Sequence, residues 1–86
     1  MSNPEALTND NFKVLSFLYE NKDKSNLIRF TQGEIADDLG FSRPTVNSIF
    51  KQLKEAGYLI HDTSKIGRYY LTEDAVKVVE TFRKLK

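Results

Sequence analysis

Residues Thr31–Leu59 read TQGEIADDLGFSRPTVNSIFKQLKEAGYL, and the residue choices spell a short helix, a tight turn and a longer helix. Thr31 and Glu34 stand at the S/T-x-x-E spacing of a capping box. The Thr31 hydroxyl can accept from the Glu34 amide while the Glu34 carboxylate reaches back to the Thr31 amide. The helix that follows carries Ile35, Ala36 and Leu39 on one side and Glu34, Asp37 and Asp38 on the other. Gly40 is the stop, because glycine enters the left-handed region without a Cβ clash. Phe41 is positioned to fold the turn onto a core. Ser42 is a good N-cap, and Pro44 falls in the first turn of the next helix, where a missing N–H is tolerated. Val46, Ile49, Phe50 and Leu53 then recur at i, i+3, i+4 and i+7, an apolar stripe that must be buried. Gly57 ends that helix. Two helices joined by a short glycine-containing turn form a helix-turn-helix unit. Ala36 is small where the helices approach, and Val46 and Ile49 face back onto the first helix.

Length and composition set the frame. Eighty-six residues allow one domain with one modest core. The chain is 40% hydrophobic and 29% charged, as in an ordinary soluble protein, and holds no apolar run long enough to span a bilayer. The N-terminus, MSNPEALTND, is polar and acidic and does not read as a signal peptide. The absence of cysteine excludes disulfides and thiol chemistry, and a single histidine leaves no donor set for zinc. No glycine-rich phosphate loop or nucleophile–base pairing is visible, so an enzyme is not expected and no cofactor is implied. These features fit a cytoplasmic protein. The net charge is only +1, but its distribution is uneven. Between Arg43 and Arg68, five cations (Arg43, Lys51, Lys54, Lys65, Arg68) outnumber Glu55 and Asp62, while acids gather at Glu34, Asp37, Asp38, Glu73 and Asp74. A local basic face of this kind suffices for phosphate contact. Asp37 and Asp38 lie near a helix C-terminus, where negative charge is disfavoured, so a cation elsewhere would relieve them.

The pattern Gln32, Ala36, Gly40, Val46, Ile49 looks like the bacterial helix-turn-helix signature. Its continuation through Leu53, Gly57-Tyr58-Leu59-Ile60, Gly67-Arg68 and Leu71-Thr72 resembles winged-helix regulators of the MarR-like kind over residues 27–75. The resemblance implies a mostly helical α+β fold: a winged helix-turn-helix with a three-helix core, a β-hairpin wing and a C-terminal helix. It also places a short strand at 27–30 beside the hairpin. The wing departs from the family pattern in lacking its Asp-x-Arg, and the long terminal helices of relatives are missing or shortened, so a ligand cavity is not carried over.

The remaining chain agrees with that plan. Residues 1–8 read as a mobile tail ahead of a single domain at 9–86. Asn9 or Asp10 can cap a first helix running to about Asn21, with Phe12, Leu15, Leu18 and Tyr19 on one side and Val14 and Phe17 on a neighbouring stripe. Residues 58–72 form a hairpin, rich in β-branched and aromatic residues on both arms, with its tip at Ser64, Lys65, Ile66 and Gly67. It should dock through Leu59 or Ile60, Tyr69 and Leu71. Of Tyr69 and Tyr70, alternation puts one in the core. Thr72 caps a last helix whose apolar side holds Ala75, Val76, Val79 and Phe82.

Opposite the buried stripe, the helix of residues 42–56 shows Arg43, Thr45, Asn47, Ser48, Lys51 and Gln52. Short polar side chains let a helix axis approach base edges in the major groove. Arginine matches guanine O6 and N7, and asparagine matches adenine N6 and N7. The expected DNA-binding set is therefore Thr31, Gln32, Ser42, Arg43, Pro44, Thr45, Asn47, Ser48, Lys51, Lys65 and Arg68. Arg43 and Asn47 are the base readers. Thr45, Ser48 and Lys51 go to phosphate or mixed positions. The helix-start amides near Thr31, Gln32 and Ser42 can bind phosphate, and Lys65 and Arg68 belong to the wing. The expected partner is double-stranded DNA bound by a homodimer, joined through the terminal helices by Phe12, Val14, Phe17, Val78, Phe82 and Leu85. The competing reading is a winged-helix module for protein–protein assembly, which the small net charge favours.

Overall fold

The computed structural model describes residues 9–64 and 68–85. Helix α1 (Asn9–Asn21) precedes a short strand β1 (Leu27–Ile28), then α2 (Gln32–Leu39) and α3 (Arg43–Glu55). A hairpin of β2 (Leu59–His61) and β3 (Tyr69–Leu71) leads into α4 (Glu73–Lys84). The sheet is antiparallel with order β1-β3-β2, so the β1 strand closes the hairpin's far side as a winged helix requires. Strand β1 is two residues, shorter than the 27–30 expected; Arg29 is exposed and Phe30 turns its ring edge-on to Phe17 of α1 at 5.5 Å. The expected tail at 1–8 and the tip residues Lys65, Ile66 and Gly67 lie outside the described residues. Among the described residues no helix is long and apolar enough to cross a membrane.

The helix ends are set by local chemistry. Both capping-box bonds form: the Glu34 amide donates to Thr31 Oγ1 at 3.1 Å and the Thr31 amide donates to Glu34 Oε1 at 2.8 Å. Gly40 adopts φ +74°, and the amides of Gly40 and Phe41 both donate to the Ala36 carbonyl. Ser42 caps α3 by accepting from the Thr45 amide. At its other end Gly57 takes φ +84°, with Tyr58 N–H donating to the Leu53 carbonyl and Gly57 N–H to that of Lys54. That pair of bonds is a Schellman motif, and it turns the chain directly into β2. Thr72 does two jobs. Its hydroxyl caps α4 by accepting from the Ala75 amide, and it donates to the Gly57 carbonyl at 2.7 Å, so the last helix is pinned to the end of α3.

The core forms where α3 meets everything else. Val46, Ile49, Phe50 and Leu53 are buried, against Ile35 and Ala36 of α2, Val14, Leu15 and Leu18 of α1, Leu59, Tyr69 and Leu71 of the hairpin, and Ala75 and Val79 of α4. The hairpin docks through Leu59, Tyr69 and Leu71, whereas Ile60 is 56% exposed on the outer face. Tyr58 is also fully buried and is among the largest core side chains, although the hairpin pattern gave it no special place. On α1 the buried stripe is Asn11, Val14, Leu15 and Leu18, again i, i+3, i+4, i+7. Phe12, Phe17 and Tyr19 are only half-buried. The expected grouping was rotated because the stripe begins at a polar residue, and Val14 is thereby removed from any surface role. Helix α4 crosses α1 through the Phe12 and Phe82 rings, 4.9 Å apart. The contact continues through Tyr19 Oη donating to Glu80 at 3.0 Å and the Arg83–Glu20 ion pair at 2.7 Å. Asp37 and Asp38 are exposed and, among the described residues, no cation pairs with them.

The loop between α1 and β1 is organised by Asp23. Its carboxylate accepts from the amides of Leu27 at 3.0 Å and Ser25 at 2.7 Å, and Asn26 sits at φ +66° between them. Those amides, that of Leu27 foremost, hold the Asp23 carboxyl below its ordinary value. A depressed folded-state value means stabilisation that is present above the unfolded value and lost as pH falls through the folded one. The difference in thermal midpoint between wild type and Asp23→Ala should therefore be full at neutral pH and shrink as pH falls below about 4. Gly57→Ala should destabilise by about 1–2 kcal/mol, since a Cβ at Gly57 meets no atom within 4 Å and only the left-handed backbone opposes it. Urea unfolding of both variants measures these effects, and an unchanged Gly57→Ala midpoint would contradict the helix-stop role.

Candidate nucleic-acid interface

Because the α3 stripe faces inward, its other side is left to solvent. Ser42, Arg43, Pro44, Thr45, Asn47, Ser48, Lys51, Gln52, Lys54 and Glu55 are all exposed. At 100° per residue, Pro44, Ser48, Lys51 and Glu55 run along the line opposite the core. Arg43, Asn47 and Lys54 occupy the flank toward α2, and Thr45 and Gln52 the opposite flank. Arg43, Lys51 and Lys54 make no ion pair among the described residues, so three cations stand against one acid, Glu55. No part of the described chain covers this side.

Both flanks are tethered. Toward α2, Asn47 Nδ2 donates to Gln32 Oε1 at 3.1 Å, and Gln32 Nε2 donates to Tyr69 Oη at 3.1 Å. On the other flank, buried Asn11 of α1 donates through Nδ2 to Gln52 Oε1 at 2.9 Å, and Gln52 donates onward to Ser48 Oγ at 3.4 Å. By sequence Gln52 is a plain member of the exposed face; in the structure it links α1 to Ser48. Asn11 gave no sign of this in sequence, since a polar residue early in a helix looks solvated.

The helix starts offer fewer free amides than expected. Thr31 N–H already donates to the Glu34 carboxylate at 2.8 Å, so it is engaged in the free chain. In the first turn of α2, the amides left without an intrahelical acceptor are those of Gln32 and Gly33. At α3, the Ser42 hydroxyl accepts from Thr45 N–H and donates to Thr45 Oγ1 at 2.8 Å, and Pro44 has no N–H. The Ser42 side chain thus organises the cap and is not a free contact. Gly33 is a residue that the sequence reading missed. A Cβ there would lie 3.1 Å from the Arg43 guanidinium, so Arg43 rests on the bare backbone of the first turn of α2. The only sequence clue was a glycine inside a helix, where it is disfavoured without a packing reason.

At the hairpin, Lys65 falls outside the described residues. Arg68 is half-buried, and its carbonyl accepts from the Asp62 amide at 3.0 Å, extending the ladder toward the tip. Asp62 also accepts from the Ser64 hydroxyl at 2.6 Å and the Ser64 amide at 3.1 Å. The hydroxyl is the main reason its carboxyl sits below the ordinary value, with the Arg68 charge contributing less. A concavity of about 680 Å³ lies away from α3, between α1, α2 and Arg83 of α4, and is lined by Phe12, Phe17, Phe30 and Leu39.

Two solved structures share this arrangement. The S. aureus MepR–DNA complex matches with a TM-score of 0.71 and 27% identity, over 90% of this chain and 62% of that one. The reduced (Fe(II)) CO-sensing protein from R. rubrum matches with a TM-score of 0.68 over 76% of this chain and 33% of that one; at 21% identity this is a likeness of fold. The chain thus spans about a third to three-fifths of the length of these proteins. No curated protein matches the sequence. The family model of the Crp-like helix-turn-helix domain matches residues 13–72, which takes in most of α1, the helix-turn-helix and the whole hairpin. This chain belongs to the Crp-like helix-turn-helix domains, and its fold is a winged helix-turn-helix.

Proposed function

We propose that this chain reads double-stranded DNA in a sequence-specific manner, as a small cytoplasmic transcriptional regulator of MarR-like character, with α3 in the major groove and the hairpin as wing. The observation that carries the reading is the uncovered, cation-rich polar side of α3, held outward by a stripe that is fully buried. The likeness to MepR, a protein solved on DNA, supports it. In this reading Arg43 and Asn47 meet base edges, while Thr45, Ser48 and Lys51 contact phosphate or mixed positions. Pro44 lies close to the backbone at the groove wall. Free amides of Gln32 and Gly33 add a phosphate site at the start of α2. Lys65 and Arg68 reach the neighbouring backbone or minor groove.

One winged-helix module buries only about 600–1,000 Å² on DNA, so useful specificity calls for a dimer. Phe82 and Leu85, 42% and 77% exposed, together with Phe12, Phe17 and Val78, supply apolar surface for it on α1 and α4. Solution mass should then rise with concentration or on adding duplex, and a constant monomer mass under both conditions would remove the dimer. The net charge of +1 favours the other reading, a protein-assembly module. Salt separates the two. Duplex affinity should fall by orders of magnitude between low and moderate salt if several phosphates are neutralised, whereas an assembly module shows no duplex affinity even at low salt.

Selection of bound duplexes from a random pool tests the reading and yields the half-site spacing. On the selected site, Arg43→Ala and Asn47→Ala should each weaken binding by about 1–3 kcal/mol and relax preference at one position. Lys51→Ala should weaken all duplexes alike and lower the salt slope by about 1. Equal losses on selected and random DNA from the first two variants would overturn the base-reader assignment.

A further inference from the structure

The link from Asn47 through Gln32 to Tyr69 does more than join elements. Tyr69 is a rigid anchor: 6% exposed, fixed in β3, with Phe50 edge-on at 4.8 Å and His61 stacked at 4.7 Å. Gln32 is half-buried, and its backbone is set by the capping box beside it. Asn47 is exposed on the DNA-facing helix. An exposed asparagine ordinarily turns its amide freely. Here inversion would set Oδ1 against Gln32 Oε1, two acceptors facing each other. Avoiding that clash requires Gln32 to invert as well, and Tyr69 to change from acceptor to donor. While the link is intact, the Asn47 and Gln32 amides therefore turn together.

We propose that Gln32 and Tyr69 are positioning residues for base recognition: by holding one N–H of Asn47 inward, they leave its Oδ1 and other N–H as the edge offered to DNA. An adenine takes such an oxygen and N–H together at N6 and N7. The inference rests on the DNA-reading proposal above, and it gives the Gln32 side chain a role other than phosphate contact.

The test uses the full chain carrying Gln32→Leu, Gln32→Glu, Asn47→Ala, Tyr69→Phe or the Gln32→Leu/Asn47→Ala pair. Duplex binding is titrated at low salt against every base at each position of the selected site. The Asn47 side-chain amide signals are followed in the free protein by NMR. Gln32→Leu should reduce discrimination at one base position by about tenfold, with little change on random duplex. The double variant should match Asn47→Ala alone. Gln32→Glu can still accept from Asn47, so it should weaken all duplexes through its charge yet keep the preference at that position. Tyr69→Phe should loosen the Asn47 amide signals and blur the same position. Additive losses from Gln32→Leu and Asn47→Ala, or a Gln32→Leu loss spread over all positions, would overturn the proposal. Asn47 amide signals that ignore Gln32→Leu would remove this proposal alone. A wild type with no duplex affinity at low salt removes the DNA reading and this inference with it.

Discussion

Burial of the stripe formed by Val46, Ile49, Phe50 and Leu53 is the constraint on which the rest of the molecule depends. Four apolar side chains at helical spacing fix the rotation of α3 about its own axis, and they share one core cluster with residues of every other element. Once that rotation is fixed, Arg43, Asn47, Ser48 and Lys51 have no choice but to face water. The presented surface follows from the hidden one. A shift of a single residue in the buried register would turn the helix by about 100° and aim a different set of side chains outward.

The α3 helix is held in place by more than apolar packing. Gly40 and Gly57 bound the unit by adopting conformations that side chains resist, and Thr72 ties the start of α4 to the chain just after α3. Amide links then reach the exposed side from two directions, from Tyr69 in the sheet and from Asn11 in α1. Each such bond adds only about 0.5–1.5 kcal/mol, so their value lies in direction more than in stability. They restrict the motion of polar groups that would otherwise sample many orientations before meeting a ligand.

Where the sequence could be read correctly, the cause was local. The capping box of Thr31 and Glu34, the glycine stops, the Ser42 cap and the α3 stripe depend on residues within a turn or two of one another. All stand in the structure where their spacing put them. The misreadings share the opposite cause. Val14 reads as part of a neighbouring stripe because Asn11, polar but buried, disguises the register of α1; one of its partners, Gln52, stands 41 residues away. Gly33 gained its meaning from Arg43, and the Gln32 side chain from Asn47 and Tyr69. Tyr58 is buried just after the Schellman turn at Gly57, a place the hairpin pattern does not single out, and of the open pair Leu59 and Ile60 the core takes Leu59. The outline of the candidate surface is thus legible from one helix, while the contacts that orient its side chains are written in residues that meet only after folding.

The central claim is that the open side of α3 is the surface that meets DNA. Backbone amide chemical shifts of the full chain, recorded with and without a selected duplex at low salt, test it most directly. Perturbations should concentrate at Arg43–Lys51 and at the first turn of α2, with a smaller set at the hairpin. Perturbations centred on α1 and α4, or none anywhere, would contradict it.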